Sequence, residues 1–267
     1  MRRALAEAAA RFGFSATARL DAELLMAHAA ATDRSRLLLD LDRPVPTGFA
    51  DLVERRARHE PVAYITGTRG FWTLDLSVGP GVLVPRADSE TLIVAAQAHF
   101  GAGGPASVLD LGTGPGSLLL AALDQWPADG LGVDRSAAAI GYARANAAAL
   151  GMAGRARFVV GDWAGAIEAR FDLVLANPPY IGTAEALPRE VREHEPADAL
   201  FAGPDGLDAY RVLAPQLGRL IAPGGCAAIE IGHRQAAAVA ALFVAQGLAV
   251  AVRRDLGGRD RCLLVAS

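Results

Sequence analysis

From Pro85 onward, short apolar runs alternate with longer helical stretches, and this alternation constrains the fold more than any other feature. Short apolar runs bounded by turn signals are typical of buried strands. We predict strands at Val108–Leu111, Leu131–Asp134, Arg157–Val160, Phe171–Ala176, Ala227–Ile231, Leu248–Arg253 and Cys262–Val265. Helical segments fall between most of these runs, which indicates an α/β fold with a doubly wound, mainly parallel sheet.

The first 68 residues follow a different pattern. Residues 1–68 are rich in alanine, leucine and arginine with helical periodicity, and they predict a bundle of four or five short helices. The charged run Glu54–Arg58 favours a solvated helix face over a binding patch. Residues 69–84 predict a β-hairpin linker with its turn at Gly79–Gly81. The second domain is then expected to cover residues 85–267.

Composition argues against several classes of protein. The formal net charge of −3 argues against a strongly basic nucleic-acid surface. Cys226 and Cys262 lie far apart without metal-ligand spacing, so we expect reduced thiols and no metal site. No apolar run approaches the roughly 18 residues of a membrane span. Glu7 and Arg11 interrupt the apolar core that a signal peptide needs, so a cytoplasmic location is expected.

A glycine-rich turn follows the first predicted strand of the sheet. Val108–Leu111 leads into Gly112-Thr113-Gly114-Pro115-Gly116, and glycines let the backbone approach a ligand closely. Asp134 ends the next predicted strand, where a carboxylate can accept hydrogen bonds from ribose hydroxyls. Neither glycine nor alanine occupies the third glycine position of dinucleotide motifs, which disfavours pyrophosphate binding. The spacing therefore predicts a site for a nucleotide-like cofactor other than a dinucleotide.

The segment Asn177-Pro178-Pro179-Tyr180 follows the predicted strand Phe171–Ala176, where open α/β sheets place their ligands. A primary amide has two N–H donors, so a protein that holds it must supply two acceptors. Asn177 can offer its side-chain oxygen and Pro178 its backbone carbonyl, while the prolines bring no competing N–H. Each X-Pro step keeps the segment extended, and Tyr180 can lie against a planar group. The segment predicts a holder for a planar amide or amine.

Together these segments carry a family resemblance. The glycine-rich turn resembles the signature of S-adenosylmethionine-dependent methyltransferases, and Asn177–Tyr180 resembles the corresponding segment of the amino-methyltransferases. Five further segments narrow the match: Glu60–Gly67, Val82–Glu90, His194–Pro196, Gly203–Leu207 and Glu230–Gly232. In this order and spacing, essentially the whole chain resembles the release-factor glutamine N5-methyltransferases, the PrmC/HemK family.

The resemblance implies a Rossmann-like, S-adenosylmethionine-dependent methyltransferase sheet with a small N-terminal helical bundle that helps to grip the substrate. The implied methyl acceptor is the side-chain amide nitrogen of glutamine in the Gly-Gly-Gln motif of class I peptide chain release factors. The cofactor-binding residues would be Gly112, Thr113, Gly114, Pro115 and Gly116 around its methionine end, Asp134 at its ribose, Trp163 at its adenine, and Asn177.

For the substrate, the resemblance implies that Asn177 and Pro178 hold the glutamine amide, with Pro179 and Tyr180 in the same segment and Tyr180 against the amide face. The expected catalytic residues are therefore Asn177, Pro178 and Tyr180. Neither a nucleic acid nor a membrane is expected as a partner. Pro115 departs from the family pattern, where serine or threonine is more usual, and lacks an N–H that could bind the cofactor carboxylate. A second departure is Ser89, in place of the commoner threonine.

Two other functions are compatible with parts of this pattern. Adenine-N6 or cytosine-N4 DNA methyltransferases use a similar segment on a flipped-out base, but they would be expected to show a basic cleft or a recognition region. A catalytically silent binding module could keep the fold alone. Glu195, Asp198 and Asp205 are acidic neighbours of the predicted site, and we expect them to shape a solvated loop instead of a metal cluster.

Overall fold

The computed structural model describes residues 1–267, and these divide into two compact units. The first unit contains Met1–Thr68 and the later segment Leu187–His194. The second unit contains Arg69–Ala186 and Glu195–Ser267. Residues 187–194 thus belong to the first unit, although they lie within the sequence range expected for the second domain.

Helices and strands alternate along most of the chain. The helices are α1 (Arg2–Arg11), α2 (Ala18–Ala29), α3 (Arg34–Leu39), α4 (Phe49–Ala57), α5 (Val62–Thr66), α6 (Glu90–Phe100), α7 (Ser117–Gln125), α8 (Ala137–Ala149), α9 (Arg189–His194), α10 (Asp208–Leu220) and α11 (Ala236–Val244). The strands are β1 (Thr68–Phe71), β2 (Leu74–Ser77), β3 (Ser107–Leu111), β4 (Asp129–Asp134), β5 (Ala156–Val160), β6 (Phe171–Ala176), β7 (Ile221–Glu230), β8 (Ala249–Arg254) and β9 (Asp260–Ala266). None of these helices combines the length and the apolar character that a membrane span requires.

The first unit is built from α1 to α5 together with α9. Alanine, leucine and arginine are strong helix formers, and this composition favours short helices with one apolar face. The apolar faces form one cluster whose fully buried members include Leu5, Phe12, Leu25 and Met26. Asp33 caps α3 by accepting a hydrogen bond from the backbone N–H of Arg36 at 2.8 Å.

Arg56 contradicts the solvated face predicted for Glu54–Arg58, because its side chain is only 3% exposed. Its Nε and Nη2 donate to Asp21 Oδ2 at 3.0 and 2.8 Å, and its Nη1 donates to Glu190 Oε2 at 2.6 Å. The guanidinium also lies 4.9 Å from the centre of the Phe14 ring. The prediction was wrong for this residue because the helical period places Arg56 on the inner side of α4, beside two carboxylates far away in sequence.

The β-hairpin at the start of the second unit consists of β1 and β2. The turn between these two strands lies at Trp72 and Thr73. A turn does occur at Gly79–Val82, where the Val82 N–H donates to the Gly79 carbonyl at 3.4 Å, but it lies after β2 and does not close the hairpin as predicted. Trp72 adopts a φ of 57°, a left-handed conformation that bulky residues rarely take. Its backbone N–H donates to Glu90 Oε1 at 2.9 Å. A contact with a residue of α6, and not local turn chemistry, therefore helps to hold the turn.

The main sheet has seven strands in the order β5-β4-β3-β6-β7-β9-β8. Strands β5, β4, β3, β6 and β7 pair in parallel, and β9 pairs antiparallel with β7 and β8. Helices α6, α7 and α8 cover one apolar face, and α10 and α11 cover the other. Burial on both faces explains why the inner strands are continuous apolar runs, and the predicted Rossmann-like, mainly parallel sheet is confirmed.

The order of the strands places three segments at one edge of the sheet. The chain leaves β3 towards β4 and β5, then returns to the opposite side of β3 as β6. Leu111 pairs with Val133 of β4 and with Ala176 of β6. The segments that follow these three parallel strands therefore emerge side by side at the switch point, where such folds bind ligands.

Candidate active site

A cavity of about 410 Å³ lies at this edge of the sheet, entirely within the second unit. Eight of the predicted site residues line it: Gly112, Thr113, Gly114, Pro115, Asp134, Trp163, Asn177 and Pro179. Gly116, Pro178 and Tyr180 are not among the lining residues. The cavity therefore joins the glycine-rich turn to the start of the Asn177–Tyr180 segment.

The glycine-rich turn leaves the sheet through three left-handed glycines. Gly112, Gly114 and Gly116 have φ values of 73°, 55° and 88°, which L side chains rarely adopt. A Cβ added to Gly114 would meet no atom within 4 Å, so this glycine faces open space at the cavity. The backbone can therefore come into direct contact with a bound molecule at this position.

Protein acceptors already occupy the N–H groups of this turn. Gly112 and Thr113 donate to the Val133 carbonyl at 2.9 and 3.0 Å, and Gly116 donates to the Thr113 carbonyl at 2.9 Å. The Pro115 carbonyl accepts a hydrogen bond from Asn146 Nδ2 at 2.9 Å. The N–H groups of the turn are therefore already hydrogen-bonded within the protein, and the turn can serve a ligand mainly through the close approach of its backbone.

Asp134, at the end of β4, braces the turn and faces the cavity. Its Oδ2 accepts from the Gly114 N–H and its Oδ1 from the Ser136 N–H, both at 2.8 Å. Each carboxylate oxygen has a second lone pair, so Asp134 can still accept hydrogen bonds from neighbouring hydroxyls. One side chain thus fixes the turn and presents acceptors to a ligand.

Trp163 forms another wall of the cavity after β5. It has a φ of 47°, an uncommon backbone conformation for a bulky residue. Its ring lies against the turn, since a Cβ on Gly112 would be 3.6 Å from Trp163 Cζ3. The half-buried ring supplies an apolar surface on which a planar group can lie.

Asp110 lies behind the turn, and sequence reasoning did not single it out. Its side chain is buried in β3, and burial raises its pKa to about 7, against hydrogen bonds that favour the charged form. Asp110 Oδ2 accepts from Thr113 Oγ1 at 2.6 Å and from the Leu119 N–H at 3.2 Å. The sequence signal that could have identified Asp110 is the presence of an acidic residue within an apolar predicted strand.

Asn177 meets the cavity directly after β6. Its Nδ2 donates to Ser89 Oγ at 3.1 Å, which joins it to a residue 88 positions earlier. Pro178, the next residue, is buried. Tyr180 turns back towards the sheet, and its hydroxyl donates to Glu230 Oε1 at 3.3 Å. Burial, and then the Glu230 charge, raise the pKa of Tyr180 and keep its proton in place.

Glu195, Asp198 and Asp205 do not gather into a metal-binding cluster, and no such group occurs in the structure. Each carboxylate pairs with a different arginine: Arg86, Arg135 and Arg211 respectively. The expectation of a solvated loop was wrong for Glu195, which is buried and also accepts from the Val84 N–H at 3.1 Å. Glu195 thus ties residues 84–86 to the loop after His194.

Solved structures with the same fold are methyltransferases. The chain is similar to a methyltransferase from Pyrococcus furiosus, with a TM-score of 0.57, 19% identity, and coverage of 81% of this chain and 98% of that one. A ribosomal protein L11 methylase from Lactobacillus delbrueckii subsp. bulgaricus gives a TM-score of 0.53, 18% identity, and coverage of 68% and 79%. Residues 105–237 match the family described as methyltransferase domain. The second unit therefore has the methyltransferase fold.

Sequence relatives give the particular family. The release factor glutamine methyltransferase of Rhodospirillum rubrum is 47% identical, over 92% of this chain and 78% of that protein. Those of Caulobacter vibrioides and Moorella thermoacetica are 45% and 40% identical, over 92% and 99% of this chain and 88% and 97% of theirs. Residues 3–67 match the PrmC N-terminal domain. The chain belongs to the release factor glutamine methyltransferase family.

Proposed function

We propose that this protein transfers the methyl group of S-adenosylmethionine to the side-chain amide nitrogen, N5, of the glutamine in the Gly-Gly-Gln motif of class I peptide chain release factors. The observation that carries the proposal is the shared cavity. The glycine-rich turn after β3 and Asn177 after β6 line the same space, at the ends of neighbouring strands. The names of the sequence relatives support the choice of substrate.

The lining residues fit the cofactor. Gly114 gives open space at the turn, the Asp134 carboxylate gives acceptors for ribose hydroxyls, and Trp163 gives an apolar wall for adenine. When bound, S-adenosylmethionine supplies an electrophilic methyl group. We assign Gly112 to Gly116 to its methionine end and Asn177 to the junction between cofactor and substrate.

The Asn177–Tyr180 segment supplies the chemistry for the amide. Asn177 donates its Nδ2 to Ser89, so its Oδ1 remains an acceptor for one N–H of the glutamine amide. We assign the second acceptor to the Pro178 carbonyl, and Pro179 and Tyr180 to contacts with the glutamine side chain. Two acceptors fix the nitrogen and stabilise the positive charge that grows on it. The nitrogen loses one proton to water after it has gained the methyl group, so the site requires no strong base.

We further propose roles for the domains. Residues 1–68 bind the release factor, residues 69–84 are the linker and residues 85–267 carry catalysis. The net charge of −3 supports a protein substrate over a nucleic acid. The proposal includes no membrane partner, and it places the protein in the cytoplasm, where release factors act on ribosomes.

The test uses the purified protein, labelled S-adenosylmethionine and two acceptors. One acceptor is a class I release factor produced without its methyl group, and the other is duplex DNA. We expect label on the release factor alone, and mass spectrometry should show one added methyl group on the Gly-Gly-Gln glutamine. Label on DNA, on another residue, or on neither acceptor would contradict the proposal.

A further inference from the structure

Residues 195–200 form a strap along one side of the cavity in the second unit. Three residues of the strap line the cavity: Pro196, Asp198 and Ala199. The strap contains a single 3₁₀ turn at Ala197–Ala199, and the Leu200 N–H donates to the Ala197 carbonyl at 3.1 Å. Because these internal hydrogen bonds fix the shape of the strap, its position depends on how its two ends are attached.

Glu195, the first residue of the strap, forms a buried attachment. Its side chain is only 1% exposed. Glu195 Oε2 accepts a hydrogen bond from the Val84 N–H at 3.1 Å, and Glu195 Oε1 accepts one from Arg86 Nη2 at 2.5 Å. A carboxylate at this depth is stable only when a cation and hydrogen bonds offset its lost hydration, and both oxygens of Glu195 have such partners.

The partners of Glu195 belong to another wall of the same cavity. Residues 81–86 line the cavity, with the exception of Val84, whose N–H donates to Glu195. The bond to Val84 restrains the main chain of this wall, and the bond to Arg86 restrains a side chain that lines the cavity. Glu195 thus joins two walls that lie 109 to 111 positions apart in sequence.

Two further contacts attach the rest of the strap. Asp198 pairs with Arg135, which also lines the cavity, but both side chains are more than half exposed, so this ion pair contributes little. The Leu200 carbonyl accepts a hydrogen bond from the Ile181 N–H at 3.0 Å, and Ile181 directly follows the Asn177–Tyr180 segment. The strap therefore runs from the wall at residues 81–86 to the segment that we assign to the substrate amide.

We propose that Glu195 is a positioning residue that holds the strap against residues 81–86 and thereby retains bound S-adenosylmethionine in the cavity. The inference rests on the proposed function for the identity of the ligand. Glu195 does not line the cavity, so it acts through the strap and not by touching the cofactor. Without its carboxylate, the Val84 N–H and Arg86 lose their shared partner, and the strap is free to separate from this wall. The cofactor then dissociates faster, while its entry into the cavity is not slowed.

The experiment measures the association and dissociation rates of S-adenosylhomocysteine by stopped flow, using the fluorescence of Trp163, which lines the cavity. We expect Glu195→Ala to raise the dissociation rate roughly 10- to 100-fold, because the loss of one partner of a buried, hydrogen-bonded charge pair acts mainly on dissociation. The association rate should stay close to that of the wild type. Glu195→Gln keeps an acceptor for the Val84 N–H but loses the charge opposite Arg86, so its dissociation rate should lie between the other two.

Glu23→Ala is the matched control for a loss of stability alone. The Glu23 side chain is 7% exposed, and Arg19 Nε and Arg34 Nε each donate to it at 2.7 Å. It lies in α2 of the first unit, whereas the cavity lies entirely within the second unit. Glu23→Ala should lower the Tm, as the loss of a buried, paired charge does, and should leave both rates for S-adenosylhomocysteine unchanged.

Hydrogen exchange followed by mass spectrometry detects the release of the strap itself. Amides in residues 81–86 and 195–200 should exchange faster in Glu195→Ala than in the wild type, with a smaller increase in Glu195→Gln. The inference is overturned if folded Glu195→Ala keeps the wild-type dissociation rate or, where that variant does not fold, if Glu195→Gln keeps it. Weaker binding caused by slower association alone would also overturn it. A wild type that does not bind S-adenosylhomocysteine would instead contradict the proposed function.

Discussion

The two halves of the candidate site are built in different ways. The cofactor half is made from the turn Gly112–Gly116 and from Asp134, which ends the adjacent strand. The amide half is made from Asn177–Tyr180, whose contacts come from Ser89, Gly206, Glu230 and Gln235. The first half is a backbone shape encoded locally. The second half is a set of side-chain orientations that depend on distant residues.

This difference predicts different kinds of mutational effect. Changes in the cofactor half should weaken cofactor binding, because we assign its acceptors and its open space to direct contact with the cofactor. Changes in the amide half should lower turnover with cofactor binding retained, because they alter the presentation of the amide.

Asn177→Ala should have the largest effect. It removes the side-chain acceptor at the cavity, and we expect kcat to fall on the order of 100-fold or more, a size typical of the loss of one stabilising group. Calorimetry with S-adenosylhomocysteine should show nearly normal affinity. A near-normal rate of release factor methylation would remove Asn177 from its assigned role.

Asp134→Ala should show the opposite pattern. It removes the acceptor for the Gly114 and Ser136 N–H groups together with the proposed ribose acceptor. Hydrogen bonds to charged groups contribute about 1.5–3 kcal/mol each, so cofactor Kd should rise roughly 10- to 100-fold. At saturating cofactor, kcat should change much less. If calorimetry gives an unchanged Kd, Asp134 does not bind the cofactor.

Gly206→Ala should lower turnover without a direct contact to the cavity. A Cβ there would collide with the Tyr180 carbonyl oxygen, and the glycine has a φ of 72°. We expect kcat to fall roughly tenfold, as displaced catalytic groups do. Gly247→Ala is the control, since Gly247 has a φ of 79° but nothing within 4 Å of the added carbon. Both variants should be shown to be folded by circular dichroism. Equal kcat values for the two would mean that the collision with Tyr180 has no specific effect on turnover.

The smallest expected effect concerns the pH dependence of the free energy of unfolding. Burial raises the pKa of both Asp110 and Glu230 to about 7, from ordinary values of 3.8 and 4.5. Between about pH 4.5 and 7 the folded protein thus holds protons that the unfolded chain has lost, so the free energy of unfolding falls as the pH rises through this window. Asp110→Asn and Glu230→Gln should each make the free energy of unfolding depend less on pH in this window. The change should appear as a Tm difference of a few degrees between variant and wild type. Parallel Tm profiles in wild type and variants would contradict this prediction.

The sequence predicted the sheet and the proximity of the Gly112–Gly116 turn to Asp134, because both are encoded locally. An apolar run can be recognised as a buried strand, and Gly112–Gly116 with Asp134 is a compact pattern at fixed spacing. The Asn177–Tyr180 segment was also recognisable, since two prolines and a polar residue after a strand are uncommon. The turn at Trp72 was missed because it is held by Glu90, a contact that turn propensities do not encode.

The support behind the amide half could not be predicted in the same way. Ser89 and Glu230 were visible only as members of family-like segments, and Asn177 lies 88 positions from the serine it contacts. The prediction that Arg56 is solvated was wrong for the same reason, because its carboxylate partners lie 35 and 134 positions away in sequence. Periodicity shows which face of an element is buried, but it does not show which charged groups meet there.

Arg56 also determines how the protein can be dissected. Its Nη1 donates to Glu190, and Glu190 lies in Leu187–His194, the part of the first unit that the chain reaches only after most of the sheet. A fragment that ends at Thr68 would keep Asp21 but lose Glu190, leaving a deeply placed cation short of one carboxylate. Cutting the chain after Thr68 would therefore not yield the complete first unit. A fragment that reproduces this unit would also need residues 187–194 to be attached.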